Sequence, residues 1–234
     1  MRLLFGTRPS ESSWIRSVWT CASGELTEMT SVASPTWGLV FWEQAGRAHA
    51  AVTGPETGTA TAPVPEGAAF TGIEFAVGTS LRAVATRSLV NGGIALPDTT
   101  RRSFRLGGRR WETPGPDDAE ALVRRLVGDE IVIRDPLLAP AKPPPVGERT
   151  LERRFRAATG LTRGAVRQIV RARTAAERLA SGAVTGDVVA ALGFYDEPHL
   201  ARALRRYIGW TATQLREGRG GAIALDLDAQ RTTS

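Results

Sequence analysis

Residues 185–211 read TGDVVAALGFYDEPHLARALRRYIGWT, and their spacing specifies two short helices joined by a turn. Val188, Val189 and Leu192 predict a short apolar helix, with capping side chains available from Thr185 to Asp187. Gly193 fits the tight turn between the helices. Asp196 is a good N-cap, Glu197 suits the positive end of a helix dipole, and Pro198 costs nothing in a first turn. Leu200, Leu204 and Ile208 recur at i, i+4, i+8 as an apolar stripe. His199, Arg202 and Arg206 fall on the opposite face, with Arg205 flanking. A helix anchored this way leaves its N-terminal side chains free, the geometry of an element that enters a DNA major groove.

The pattern occurs twice. TLERRFRAATGLT (150–162) aligns without gaps on HLARALRRYIGWT (199–211), an offset of 49 residues with five of thirteen positions identical. Leu151, Phe155 and Ala158 supply the apolar stripe of the first copy, and Arg149, Glu152, Arg153 and Arg156 its polar face. The glycine closing each copy, Gly160 or Gly209, can take the left-handed conformation that ends a helix. Between the copies, residues 162–182 predict one helix that Thr162 can cap and Gly182 can end. About 18 residues at roughly 1.5 Å each give a rod of about 27 Å, comparable to the roughly 34 Å of one DNA turn.

Charge follows the same division. Residues 142–219 carry 15 Lys and Arg against 7 Asp and Glu, and 14 of the 15 cations are arginine; residues 1–141 carry 14 against 15. The whole positive excess of a chain with net charge +6 therefore lies in this segment, and arginine suits bidentate contacts to phosphate and guanine. The single cysteine, Cys21, excludes an intrachain disulfide framework and fits a reducing cytoplasm. His49 and His199 are far apart, so no metal site and no cofactor are expected. Neither a transmembrane run nor a signal peptide is read. No nucleophile elbow or phosphate loop supports an enzyme.

Upstream, the texture is that of strands joined by turns: residues 13–20, 37–44, 49–55, 70–78 and 102–112 are short apolar or aromatic runs bounded by Gly, Pro, Ser and Thr. Residues 53–67 read as loop, and residues 116–127 as a helix with an acidic first turn. Five prolines in 135–146 bar a long helix there. The expected organisation is α+β. A β-rich regulatory or dimerising domain spans 1–112, and a helix with a Pro-rich linker spans 113–146. A double helix-turn-helix domain follows at 147–219, then a frayed tail at 220–234. Five of the six tryptophans precede residue 112; they are mostly core residues, with Trp37, Trp42 and Phe75 as weak candidates for lining an effector pocket.

From about 146 to 216 the sequence resembles the AraC/XylS family of bacterial transcription regulators. The second unit carries most of the likeness: Gly193, Phe194, Asp196, His199, Leu200, Arg202, Arg206, Gly209 and Thr211 stand where that family's signature has equivalent residues. The resemblance implies a seven-helix domain that binds double-stranded promoter DNA and acts on RNA polymerase. It also implies an N-terminal domain, often a cupin-type barrel, that binds a small effector or forms a homodimer. It is a cytoplasmic, nucleoid-associated role without enzymatic activity. By position in the motif, Arg149, Glu152 and Arg153 of the first helix, and Glu197, His199 and Arg202 of the second, face bases or phosphates. Arg202 is assigned to guanine, and Arg156, Arg205 and Arg206 to phosphates. Three departures stand out. APAKPPPVG replaces the first positioning helix, with Gly147 at the cap, so that helix is expected to be short or irregular. Glu197 stands where glutamine is frequent and can accept from a cytosine amino group. Ala212 replaces a proline. The competing readings are a non-specific architectural DNA binder and a β-domain enzyme carrying a DNA-targeting module.

Overall fold

A computed structural model describes residues 4–24, 28–63, 66–138 and 146–218. The N-terminal region is built on an antiparallel six-stranded sheet. Its strands are β1 (Leu4–Pro9), β2 (Ile15–Ala22), β4 (Gly38–Gln44), β5 (Arg47–Thr53), β7 (Ala69–Phe75) and β9 (Gly93–Ala95), in the spatial order β1-β2-β7-β4-β5-β9. Three two-stranded ribbons accompany it: β3 (Glu28–Ser31) with β6 (Ala60–Pro63), β8 (Thr79–Leu81) with β12 (Val132–Arg134), and β10 (Ser103–Leu106) with β11 (Arg109–Glu112). The expectation of a strand-rich region followed by a helical one holds. The barrel of the resemblance does not close: β1 and β9 are edges of the main sheet. A second correction concerns the predicted loop 53–67, which contains β6; Ala60 pairs Ser31 and Thr61 pairs Thr30. Its Pro/Gly punctuation concealed a short edge ribbon of the kind proline tolerates.

Period-two alternation sorts the sheet's side chains onto two faces. Val18, Leu39, Phe41, Ala50, Val52, Ile73 and Phe75 point to one face and bury there with Phe104, Leu106 and Trp111 of the β10–β11 hairpin. The helix expected at 116–127 is α1 (Ala119–Gly128), which closes this core with Ala119, Leu122, Val123 and Leu126. Trp37 stacks on Phe75 with ring centroids 3.9 Å apart, and its indole N–H donates to the Thr79 carbonyl at 3.1 Å. Trp19, Val40, Phe70 and Glu74 belong to the opposite face. Trp19 pairs Gly72, and Gly72 pairs Val40 across the next strand. A Cβ on Gly72 would stand 1.9 Å from Trp19 Cε2, so only glycine lets the indole lie across the sheet there.

The C-terminal region holds α2 (Glu148–Thr159), α3 (Arg163–Ala180), α4 (Thr185–Leu192), α5 (Glu197–Tyr207) and α6 (Ala212–Glu217). These are five helices among the described residues, against the seven implied by the resemblance. No α-helix is described between α1 and α2, where β12 is followed by a 3-10 turn at Pro136–Leu138; residues 139–145 lie outside the described part. A second core joins Ile169, Ala172, Ala176 and Leu179 of α3 to Leu200, Leu204 and Ile208 around α5. It also takes in Val32 and Ala33 of the N-terminal region, so the two halves share packing. Burying a Leu or Ile side chain contributes about 1.5–3 kcal/mol, so this stripe is the main anchor of α5.

Candidate nucleic-acid interface

The local chemistry of α5 follows its sequence. Asp196 is extended, and its carboxylate accepts from the His199 backbone N–H at 2.7 Å. Gly193 ends α4 in the left-handed conformation at φ +67°, and α3 clamps this turn from behind. The Arg171 guanidinium lies 4.4 Å from the centre of the Phe194 ring and donates to the Gly193 carbonyl at 3.1 Å. The caps expected from Thr185 to Asp187 are absent; α4 is capped by Val184 with no side-chain hydrogen bond. Its backbone is held by packing, with Val188 fully buried. Beyond α5, Thr211 and Gln214 form a capping box that starts α6.

With Leu200, Ala203, Leu204 and Tyr207 turned into the core, the free face of α5 carries Glu197, Arg202, Arg205 and Arg206, all exposed. His199 is half-buried, and its Nδ1 accepts from the Tyr195 N–H at 3.3 Å. The ring meets Phe194 edge-on, with centroids 5.4 Å apart. A neutral histidine accepting at Nδ1 keeps its proton on Nε2, which makes Nε2 the donor left for a ligand. Arg206 folds back over Tyr207, its guanidinium 5.2 Å from the ring centre. Tyr195 was not singled out from the sequence. It is 90% exposed just before α5, and its place between buried Phe194 and the Asp196 cap is the sequence signal that points to it.

The first copy is assembled differently. Arg149, Arg153 and Arg156 are exposed on α2 and share one face. Glu152 points elsewhere: its carboxylate accepts the backbone N–H of Arg163 at 3.2 Å and so satisfies an open donor at the start of α3. Leu151 and Phe155 are only half-buried, whereas Leu200 and Leu204 of the second copy are wholly enclosed. Among the described residues no positioning helix packs behind α2. In place of a positioning helix, α2 meets the 3-10 turn Thr86–Leu89, and Arg154 reaches Asp135 at 3.4 Å.

Of the effector candidates, Trp37 borders a cavity on the sheet's open face while its ring stacks on Phe75, which is enclosed in the core. Trp42 stacks on His49 (ring centroids 5.0 Å apart) and on Phe70 of the cavity wall (6.2 Å), without lining the cavity itself. Burial pushes the Cys21 thiol up to about 11. Among the described residues there is no cluster of three metal-binding side chains, and no helix is long and apolar enough to cross a membrane.

A family model described as a helix-turn-helix domain, of AraC type, matches residues 145–218. No curated protein and no solved structure matches the chain. The matched residues contain both arginine-faced helices and the long helix between them, so the C-terminal region carries a helix-turn-helix domain of AraC type, which supports DNA binding by that region.

Proposed function

We propose that the chain is a sequence-specific regulator that reads promoter DNA chiefly through α5. A small effector bound by the N-terminal region would control it. The supporting observation is the exposed face of Glu197, Arg202, Arg205 and Arg206 on a helix whose opposite face is locked into a core. Arg202 is assigned to a guanine, and a bidentate pair of that kind discriminates by about 1–3 kcal/mol. Arg205 and Arg206 hold phosphates, while Arg149, Arg153 and Arg156 present a second, less firmly mounted reading face. Glu152 is better placed as a cap of α3 than as a base reader. DNA reading is assigned to residues 147–219, and RNA polymerase and a second copy of the chain are the further partners of this role.

The test is selection of genomic DNA fragments by the purified protein at physiological salt, with Arg202→Ala in parallel. The expected result is an enriched motif of two elements about one helical turn apart, with Arg202→Ala degrading one element. Enrichment of a single element would restrict base reading to α5. Binding without enrichment, fading as salt rises, would replace the specific regulator with an architectural binder.

A further inference from the structure

The face of the sheet opposite the core encloses a cavity of about 300 Å³, at the small end of the range for ligand sites. The side chains of Trp19, Val40 and Phe70 give it a mainly apolar wall. The Trp19 indole forms part of the floor because Gly72 leaves room for it. The polar groups are few and unequal. Glu74 is saturated: it accepts from Arg16 Nη1 at 3.0 Å, Ser17 Oγ at 3.0 Å, Ser34 Oγ at 2.7 Å and Thr36 Oγ1 at 2.8 Å. Arg173 is not saturated. It enters the wall from α3, the helix between the two arginine-faced helices. Its Nη1 donates to the Ala33 carbonyl at 3.2 Å, while its Nε is buried with no hydrogen-bond partner. A buried donor left unpaired is costly and calls for an acceptor.

Charge limits what that acceptor can be. Arg16 and Arg173 balance Glu74 and Glu56 around the cavity. Burial pushes the Glu56 carboxyl up, against a hydrogen bond from Ser31 and the charge of Arg173. An added anion would face two carboxylates in a poorly solvated space. We infer that this cavity is the effector site, and that it takes a compact neutral molecule with an apolar ring system and a carbonyl oxygen that accepts from the Arg173 guanidinium. The inference rests on the effector control proposed above, and it names the site and the class of ligand.

The same arginine supplies the route to DNA. Val32 and Ser34 belong to the cavity wall. Between them, Ala33 donates its N–H to the Tyr207 carbonyl at 2.9 Å, at the end of α5, and accepts from Arg173 of α3. A ligand that draws the guanidinium toward its own oxygen changes the hold on Ala33, and with it the seating of α5. Differential contact of this kind is what an effector needs to shift a two-state equilibrium, and the coupling is reciprocal.

The test uses three ring compounds of one shape on the full chain: 2-naphthamide, 2-naphthoate and 2-naphthylmethylamine. Binding is read by calorimetry and tryptophan emission. The amide should bind most tightly and change the affinity for the selected DNA motif at least several-fold. Arg173→Met should weaken amide binding at least tenfold. Val40→Phe, which puts a larger side chain into the cavity, should abolish binding while leaving motif recognition intact. Tighter binding of naphthoate or of the amine would overturn the neutral-carbonyl assignment. Amide binding that persists in Val40→Phe would overturn the site. If none of the three binds a protein that still selects its motif, the cavity inference fails while the regulator reading stands. Loss of motif selection alongside intact amide binding would mean the reverse.

Discussion

Gly160 and Val90 are in such close contact that a methyl group on the Gly160 Cα would lie 2.7 Å from Val90 Cγ2. Gly160 is also left-handed, at φ +75°, where it ends α2. The first arginine-faced helix is thus seated on the N-terminal region at its C-terminal end. Gly160→Ala meets both costs, about 1–2 kcal/mol for the left-handed backbone and about 1–3 kcal/mol for overpacking. Urea denaturation should report a loss of at least about 2 kcal/mol. Footprinting should show weakened protection at one half of the DNA site only. Unchanged stability would mean that α2 does not dock on Val90.

The helices were legible because each rests on local signals. Thr162 caps α3 through the Ala165 N–H, Asp196 caps α5, and the stripe Leu200, Leu204, Ile208 is buried as its spacing requires. The central strands were legible from their apolar runs. What could not be read depends on partners distant in sequence. The cavity exists because Trp19, Gly72 and Val40 fall in register across three strands and Arg173 arrives from a helix some hundred residues later. The caps assigned to Thr185 and Asp187 failed for a related reason. Packing of Val188 fixes that helix start, so no side-chain cap is required.

The cap on α5 gives a prediction separable from charge. Asp196→Ala removes the bond to the His199 N–H and should cost about 1 kcal/mol. DNA binding should weaken as well, because Glu197, His199 and Arg202 are oriented by that first turn. Asp196→Asn caps about equally well and should restore stability in denaturation and most of the binding in a titration. Failure of Asn to rescue would assign the role of Asp196 to its charge.

Glu74 sets an acid limit. Burial alone would raise its pKa, but Arg16, Arg173 and the hydroxyls of Ser34 and Thr36 hold the carboxyl at about 2, against an ordinary 4.5. A folded-state value below the unfolded one contributes stability that is complete above the unfolded pKa and lost as pH falls through the folded pKa. That difference corresponds to about 3 kcal/mol at neutral pH. Denaturation curves from about pH 5 down to about pH 2 should show this loss in the wild type. Glu74→Gln should be destabilised at neutral pH and show a flatter acid limb, since the group that titrates is gone. Parallel acid limbs in the two proteins would place the acid sensitivity elsewhere.

Arg202 and Arg205 are both exposed on α5 yet should fail differently when removed. A base-reading arginine carries sequence information, so Arg202→Ala should cost about 1–3 kcal/mol on the selected motif and little on random DNA. A phosphate-holding arginine carries none, so Arg205→Ala should weaken both to a similar degree. The salt dependence separates them again. Loss of one phosphate contact should lower the slope of log K against log salt by about one, and loss of a base contact should leave it nearly unchanged. Equilibrium titrations of both variants on motif and random duplexes, at three or more salt concentrations, decide the assignment. If Arg205→Ala relaxes specificity while Arg202→Ala lowers the slope, the reading face of α5 is rotated by most of one residue from the one assigned here.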